Sequence, residues 1–269
     1  MIIKKEELKE KSQVSVFVVF AIIIVVAVGI GYYLSKNNFT SVDDTAKINS
    51  ILGSIDTCKS LSADNSVKKI GIQGGYDKHP ETYLDFGWMF IPYYFIEGKT
   101  YFPDKTKIEE NLADIFNQNF QQCLKVIDTL GFELKTSQSK TIVKIINDTI
   151  KFDIGIKITL GRDFKTTSYD LKKAPLIRNY RLNDMYEVAK YITDSHNTNP
   201  PMLCADFFVD LADKKGLLVN YFTIDKNTKV AIISENNDNI GNYVYQFAEK
   251  YSDDGGSIAG IPEMPKNGI

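Results

Sequence analysis

Residues 14–34 constrain this chain more than any other stretch: their only polar groups are the Ser15 hydroxyl near one end and the Tyr32 and Tyr33 phenols near the other. A helix needs about 20 apolar residues to cross a hydrocarbon core, because it rises about 1.5 Å per residue and must satisfy every backbone group internally. The stretch meets that requirement and predicts a transmembrane helix over 13–35. Lys4, Lys5, Lys9 and Lys11 precede it, interspersed with Glu6, Glu7 and Glu10, whereas the following flank offers only Lys36 before Asp43 and Asp44. Lysine and arginine set orientation and acids count little. The expectation is a single-pass protein of the cell membrane, with residues 1–12 cytoplasmic and the C-terminal domain outside. A cleaved signal peptide has a core of roughly 7–15 residues and a small-x-small ending. This core is longer and lacks that ending.

At the junction, Lys11-Ser12-Gln13-Val14-Ser15 runs straight into the apolar stretch. It resembles the archaeal class III, prepilin-type signal: a basic start, a small residue, then Gln-x-Ser leading the hydrophobic segment. The resemblance implies that a prepilin-type peptidase cuts between Ser12 and Gln13. Pilins of that type usually carry Glu at the fifth mature position, where this chain has Phe17. That departure speaks against a major filament subunit and leaves two readings open, an uncut anchor and a minor pilin-like component. Short motifs also match by chance.

With 43% apolar and 25% charged residues, the remainder of the chain supports one large or two small domains with proper cores. The net charge is −2, and no Lys/Arg block provides the electrostatic footprint that nucleic acid requires. Cys58, Cys123 and Cys204 form no CxxC, and His79 and His196 are the only histidines, so a zinc or His-rich metal site is disfavoured.

Ile48, Ile51, Leu52, Ile55 and Cys58 recur at helical spacing, which predicts a helical stalk segment, 36–66, with its helix ending before Asn65. Gly71-Ile72-Gln73-Gly74-Gly75-Tyr76 follows. A phosphate loop demands a preceding strand and a Gly-Lys-Ser/Thr ending. Neither is present, so the run reads as a turn needing positive φ. Residues 83–102 concentrate aromatics, with Trp88, Pro92 and a Glu97-Gly98-Lys99 turn, and read as a hairpin or loop packed on the core. Left exposed, such a strip would suit a glycan or a partner protein.

Asp104 or Thr106 caps a second helix, whose apolar face is Ile108, Leu112, Ile115, Phe116, Phe120, Cys123 and Ile127. Cys58 and Cys123 thus lie on the buried stripes of two helices. A bridge between them would stabilise by about 4 kcal/mol through loop entropy. Outside the cell that bridge is favoured over two buried free thiols.

This order of features looks like a group of uncharacterised archaeal single-pass surface proteins: a prepilin-like start, a Cys-bearing helix, Gly-x-Gln-Gly-Gly-Tyr, Ile-Pro-Tyr-Tyr, and a second Cys-bearing helix. The resemblance covers most of residues 11–160 and, more weakly, 243–251. It implies location and related fold, and carries over no catalytic residue.

Beyond the second helix the period becomes two. Residues 150–160 alternate apolar and polar, and Asn147-Asp148 separates them from the strand at 141–146, so a tight hairpin is predicted. Asn147-Asp148-Thr149 and Asn38-Phe39-Thr40 are also glycosylation sequons. Residues 161–180 are polar and irregular and read as a linker between two α+β subdomains, 67–160 and 181–251. The second subdomain holds helices at 182–192 and 200–215 and strands at 217–224, 229–234 and 243–247. The tail, 252–269, is Gly- and Pro-rich and is expected to be disordered.

Three constellations bear on chemistry. Cys204 with His196 is a candidate nucleophile and base, outweighed by a core thiol. Glu235, Asn237 and Asn239 alternate as in a calcium loop, but Ile240 occupies the glycine position. Asp206 and Asp210 share one helix face, which a solvated surface explains. No catalytic, cofactor-binding or metal residue is assigned.

The fold class expected is α+β: a transmembrane helix and helical stalk, then an extracellular domain of about four helices with antiparallel strands. The function expected is a non-enzymatic, membrane-anchored surface protein, either pilin-like or an envelope or adhesion component. Its partners would be the lipid bilayer, a prepilin-type peptidase and other surface or filament subunits, with no nucleic acid. The alternative is a membrane-tethered extracellular hydrolase or ligand-binding receptor. A pocket of convergent carboxylates with Cys204 touching His196 favours the enzyme; an exposed apolar stripe on 48–62 or 83–102 favours assembly.

Overall fold

The computed structural model describes residues 24–26, 28–29, 42–138, 140–162, 165–198, 205–235 and 243–252. The chain divides into two compact units, residues 1–52 and 53–269. The long helix α1 (Val42–Ile72) runs from the first into the second. Within the second unit it buries Ile55, Cys58, Ser62, Ala63, Ser66, Val67 and Ile70, a stripe recurring every three to four residues. Its middle is lined by small side chains, which lets neighbouring elements come close.

Close approach is sharpest at the end of α1. A Cβ on Gly71 would lie 2.2 Å from the Val244 carbonyl oxygen, and one on Gly74, at φ +50°, would lie 2.5 Å from that of Gln246. Only glycine fits there. The amide of Gln246 donates to the Ile72 carbonyl at 2.7 Å, and the Tyr94 hydroxyl donates to the Gly74 carbonyl at 2.7 Å. The glycine run therefore seats a helix end against a strand.

The strand it meets belongs to the largest sheet. β1 (Tyr83–Asp85), β2 (Phe90–Ile96) and β3 (Lys99–Thr100) form one side, and β10 (Leu217–Thr223), β11 (Thr228–Glu235) and β12 (Val244–Lys250) the other. The order is β1-β2-β12-β11-β10, with β3 on β2; β12 and β2 run parallel, whereas the other pairs are antiparallel.

Asp104 caps α2 (Lys105–Lys125), its carboxylate accepting from the Lys107 amide at 2.6 Å. The helix buries Ile108, Leu112, Ile115, Phe116, Phe120 and Leu124 and packs against β5. Two small antiparallel sheets complete this side: β4 (Glu133–Thr136), β7 (Lys157–Arg162) and β8 (Lys165–Asp170), and β5 (Lys140–Ile146), β6 (Thr149–Gly155) and β9 (Leu176–Asn179). Asn147 and Asp148 make the turn between β5 and β6, with Asn147 at φ +49° and Ile146 opposite Thr149. The helix α3 (Leu182–Thr198) buries Leu182, Met185, Val188, Ala189 and Ile192, and α4 (Ala205–Lys214) leads through Gly216 into β10. Cys58 and Cys123 are joined across a sequence separation of 65, Cα atoms 5.7 Å apart, which ties α1 to α2.

The α+β class stands, but the architecture needs correction. Among the described residues no helix is long and apolar enough to cross a membrane. Most of 13–35, read as the transmembrane helix, lies outside the described residues; 24–26 and 28–29 are helical. The helix does not end before Asn65: α1 continues through it to Ile72, and its second half is packed and cross-linked. Residues 161–180 hold β8 and β9 instead of a linker, and 53–269 form one unit. The strands are not all antiparallel, because β2 and β12 share direction. Residues 253–269, the predicted disordered tail, lie outside the described residues.

Two outcomes follow for stability. Replacing Cys58 and Cys123 together by Ser is expected to lower the unfolding free energy in urea by about 4 kcal/mol. Gly71→Ala is expected to cost about 1–3 kcal/mol, as overpacking does; a neutral result would mean that the helix end does not sit against β12.

Candidate functional site

The β1–β2 hairpin presents its tip to solvent. Tyr83 pairs with Pro92 and Asp85 with Phe90, which leaves residues 86–89 as the turn. The Phe86 amide donates to the Met89 carbonyl at 3.0 Å, and the Gly87 amide, at φ +79°, donates to the Asp85 carboxylate at 2.7 Å. At this braced tip Trp88 is 82% exposed and Phe86 39%. The base is held from both sides. Tyr83 packs between His79 (ring centroids 4.6 Å) and Phe90 (5.9 Å), while Ile91 packs with Val230 and Ala248. Residues 83–102 are therefore divided: Tyr94 and Phe95 are core, as expected for packed aromatics, and the turn between the strands is not.

Behind β2 lies a second concentration of chemistry, closed to solvent. Glu249 on β12 is fully buried. One of its oxygens lies 2.9 Å from His196 Nε2, and the other accepts from the Tyr251 hydroxyl at 2.9 Å. Phe95 lies against the His196 ring at 4.5 Å, and the Lys229 ammonium stands 5.7 Å from the Tyr251 ring centre. Burial lowers the Lys229 pKa, partly offset by the Glu249 charge. Burial raises the Tyr251 and Tyr221 phenols, and Glu249 raises them further. The group can hold protons and lock α3 onto the sheet.

The residues singled out in the sequence are scattered over the structure. His196 is committed to Glu249, and Cys204 lies outside the described residues. Asp210 pairs with Lys214 at 2.6 Å on the surface, and the Asp206 side chain lies outside the described set. Glu235 ends β11, whereas Asn237 and Asn239 lie outside the described residues. Among the described residues no group of three His, Cys, Asp or Glu side chains could hold a metal ion. Asn147 sits exposed at its turn; Ser12, Gln13 and Asn38 lie outside the described residues. Sequence reading misses Glu249, Tyr251 and Lys229. The one available signal is Glu249 itself, an acid that directly follows the apolar pair Phe247 and Ala248 within the strand Val244–Lys250.

Comparison with known proteins finds no matching family model, no matching curated protein and no matching solved structure.

Burial raises the phenols of Tyr94, Tyr243, Tyr245 and Tyr251, and burial followed by the Asp64 charge pushes Tyr180 up to about 12. An unfolded tyrosine loses its proton near pH 10, while these keep theirs. The folded state then binds more protons, so stability falls as pH rises above about 10. Lys229 acts oppositely: its lowered pKa makes the unfolded chain the better proton binder just below about pH 10.4, and stability rises with pH there. Urea unfolding from pH 7 to 12 is expected to show the alkaline loss in every variant. Lys229→Met should be more stable at pH 7 and lack the preceding rise.

Proposed function

We propose that this chain is a non-enzymatic component of the cell surface, adhesive or pilin-like, that meets its partner through the tip of the β1–β2 hairpin. The observation supporting this reading is Trp88, 82% exposed on a hairpin whose base is held by tilted and edge-to-face ring contacts and a packed isoleucine. Exposing an indole forgoes the burial that would otherwise stabilise the fold, by about 1.5–3 kcal/mol for a large apolar side chain. A rigid, protruding ring binds with little entropy to lose, which is why tryptophan dominates contact energy where partners meet. The Cys58–Cys123 bridge suits an oxidising compartment outside the cytoplasm. The prepilin-like junction at Ser12-Gln13 adds a route to that compartment.

Two measurements test the reading. Protein extracted from its native membrane without reductant, analysed by intact mass and N-terminal sequencing, is expected to begin at Gln13 if it is pilin-like; a start at Met1 removes that form and leaves the adhesive one. Trp88→Ala is expected to leave stability within about 0.5 kcal/mol while reducing surface attachment or cross-linking to neighbouring subunits about tenfold or more. Unchanged attachment and cross-linking would take the hairpin out of the function.

A further inference from the structure

We propose that the slot between α2 and the free edge of β5 takes an extended, basic peptide segment of another protein, added to the small sheet as a fourth strand. This site is separate from the hairpin and does not rest on its function. Among the described residues no strand pairs with the outer edge of β5, since the order of that sheet is β5-β6-β9. The two-residue turn that sets Ile146 opposite Thr149 directs the backbone groups of alternate residues away from β6. Thr141, Val143 and Ile145 are those residues. The Ile145 amide shows the direction, because it leaves the sheet to donate to Glu109 on α2 at 2.9 Å. Glu109 stands there in place of a neighbouring strand's carbonyl and caps one end of the edge. Thr141, 7% exposed, and Val143, 2% exposed, line instead a groove of about 470 Å³ between the strand and the helix, and the Thr141 hydroxyl donates to Asn117 on α2 at 2.7 Å. An unpaired edge beside a groove is the setting in which extended peptides add to sheets, with main-chain bonds for affinity and alternate side chains for selectivity.

Charge identifies the occupant. The helix wall carries Glu109, Glu110 and Asp114, and the strand contributes Lys144. Lys144 is already held by Glu109 at 2.7 Å, and Glu110 shares Lys107 across an exposed 3.3 Å pair. Asp114 has no ion pair among the described residues, so the wall keeps a negative excess. In an added strand, the side chains level with Thr141 and Val143 would face that wall, and lysine or arginine fits there. A second copy of β5 fits badly. It would turn Thr141, Val143 and Ile145 towards the acids, and would set Lys140 and Lys144 on the side already bearing lysines. A different chain with alternating basic residues satisfies both sides.

The test uses the full chain, labelled with ¹⁵N, and three probes: acetyl-Thr-Lys-Thr-Lys-Thr-amide, the same peptide with glutamate for lysine, and the lysine peptide N-methylated at every amide. The lysine peptide is expected to shift the Thr141 and Val143 amide signals saturably and slow their hydrogen exchange. The glutamate peptide should bind at least tenfold more weakly, and the methylated one, which has lost its N–H donors and carries methyl groups where its strand must approach the edge, should leave both amides unchanged. Glu110→Lys with Asp114→Lys should reverse the preference between the charged peptides. Equal responses to all three probes, or none, would overturn the proposal. So would protection of Thr141 and Val143 in the free protein: if independent of concentration, the chain's own segment fills the slot, and if it grows with concentration, a second copy does.

Discussion

The parallel pairing of β2 with β12 holds the second unit together. Ala248 lies beside Tyr93, Glu249 beside Phe95 and Lys250 beside Ile96, with a shift of register between Ala248 and Glu249. No tight turn can make a parallel pair; the connection must cross over. Here the connection contains α2, both small sheets, α3, α4, β10 and β11. Without this pairing the β1–β3 segment would be an isolated ribbon, and such ribbons are marginal in water. Closing so long a loop costs only slowly more than closing a short one, but it makes folding slow.

Side chains on both strands specify that pairing. Tyr94 stacks on Phe247 at 4.5 Å, and its hydroxyl lies 2.7 Å from that of Tyr245. At the other end Glu249 sits in a buried polar niche made by His196 and Tyr251. A slip of β12 by one residue would turn every one of these side chains to the opposite face. An uncompensated buried carboxylate costs several kcal/mol, so the niche penalises the wrong register more heavily than it rewards the right one. The glycines at the end of α1 act in the same sense, because only one position of β12 places its carbonyls over missing side chains.

Elements whose burial follows a local period were legible in the sequence. The apolar stripe of α2, the alternation of β6 and the Asn-Asp turn each state their structure within a few residues. β8 was not legible, because every one of its side chains except Tyr169 is exposed, and an edge strand with no buried face leaves no alternation to read. The extent of α1 was hidden by Asn65 and by the small residues of its second half, where tertiary packing overrides propensity. The Trp88 tip was located as an aromatic segment, but which rings would be buried depends on β11 and β12, far along the chain. The niche around Glu249 was invisible for the same reason, since its histidine partner lies 53 residues away. The acidic slot depends on which edge of β5 stays unpaired, and that is a property of strand order.

The bridge between Cys58 and Cys123 also determines how the unit would bear a pull. Tension entering along α1 from its N-terminal side reaches Cys58 and passes through a covalent bond directly into α2. The covalent chain between the two cysteines, which includes the glycine turn and the strands β1, β2 and β3, is bypassed. Hydrogen-bonded strands peel apart under loads that a disulfide withstands. The aromatic tip would therefore keep its shape while the molecule carries a load.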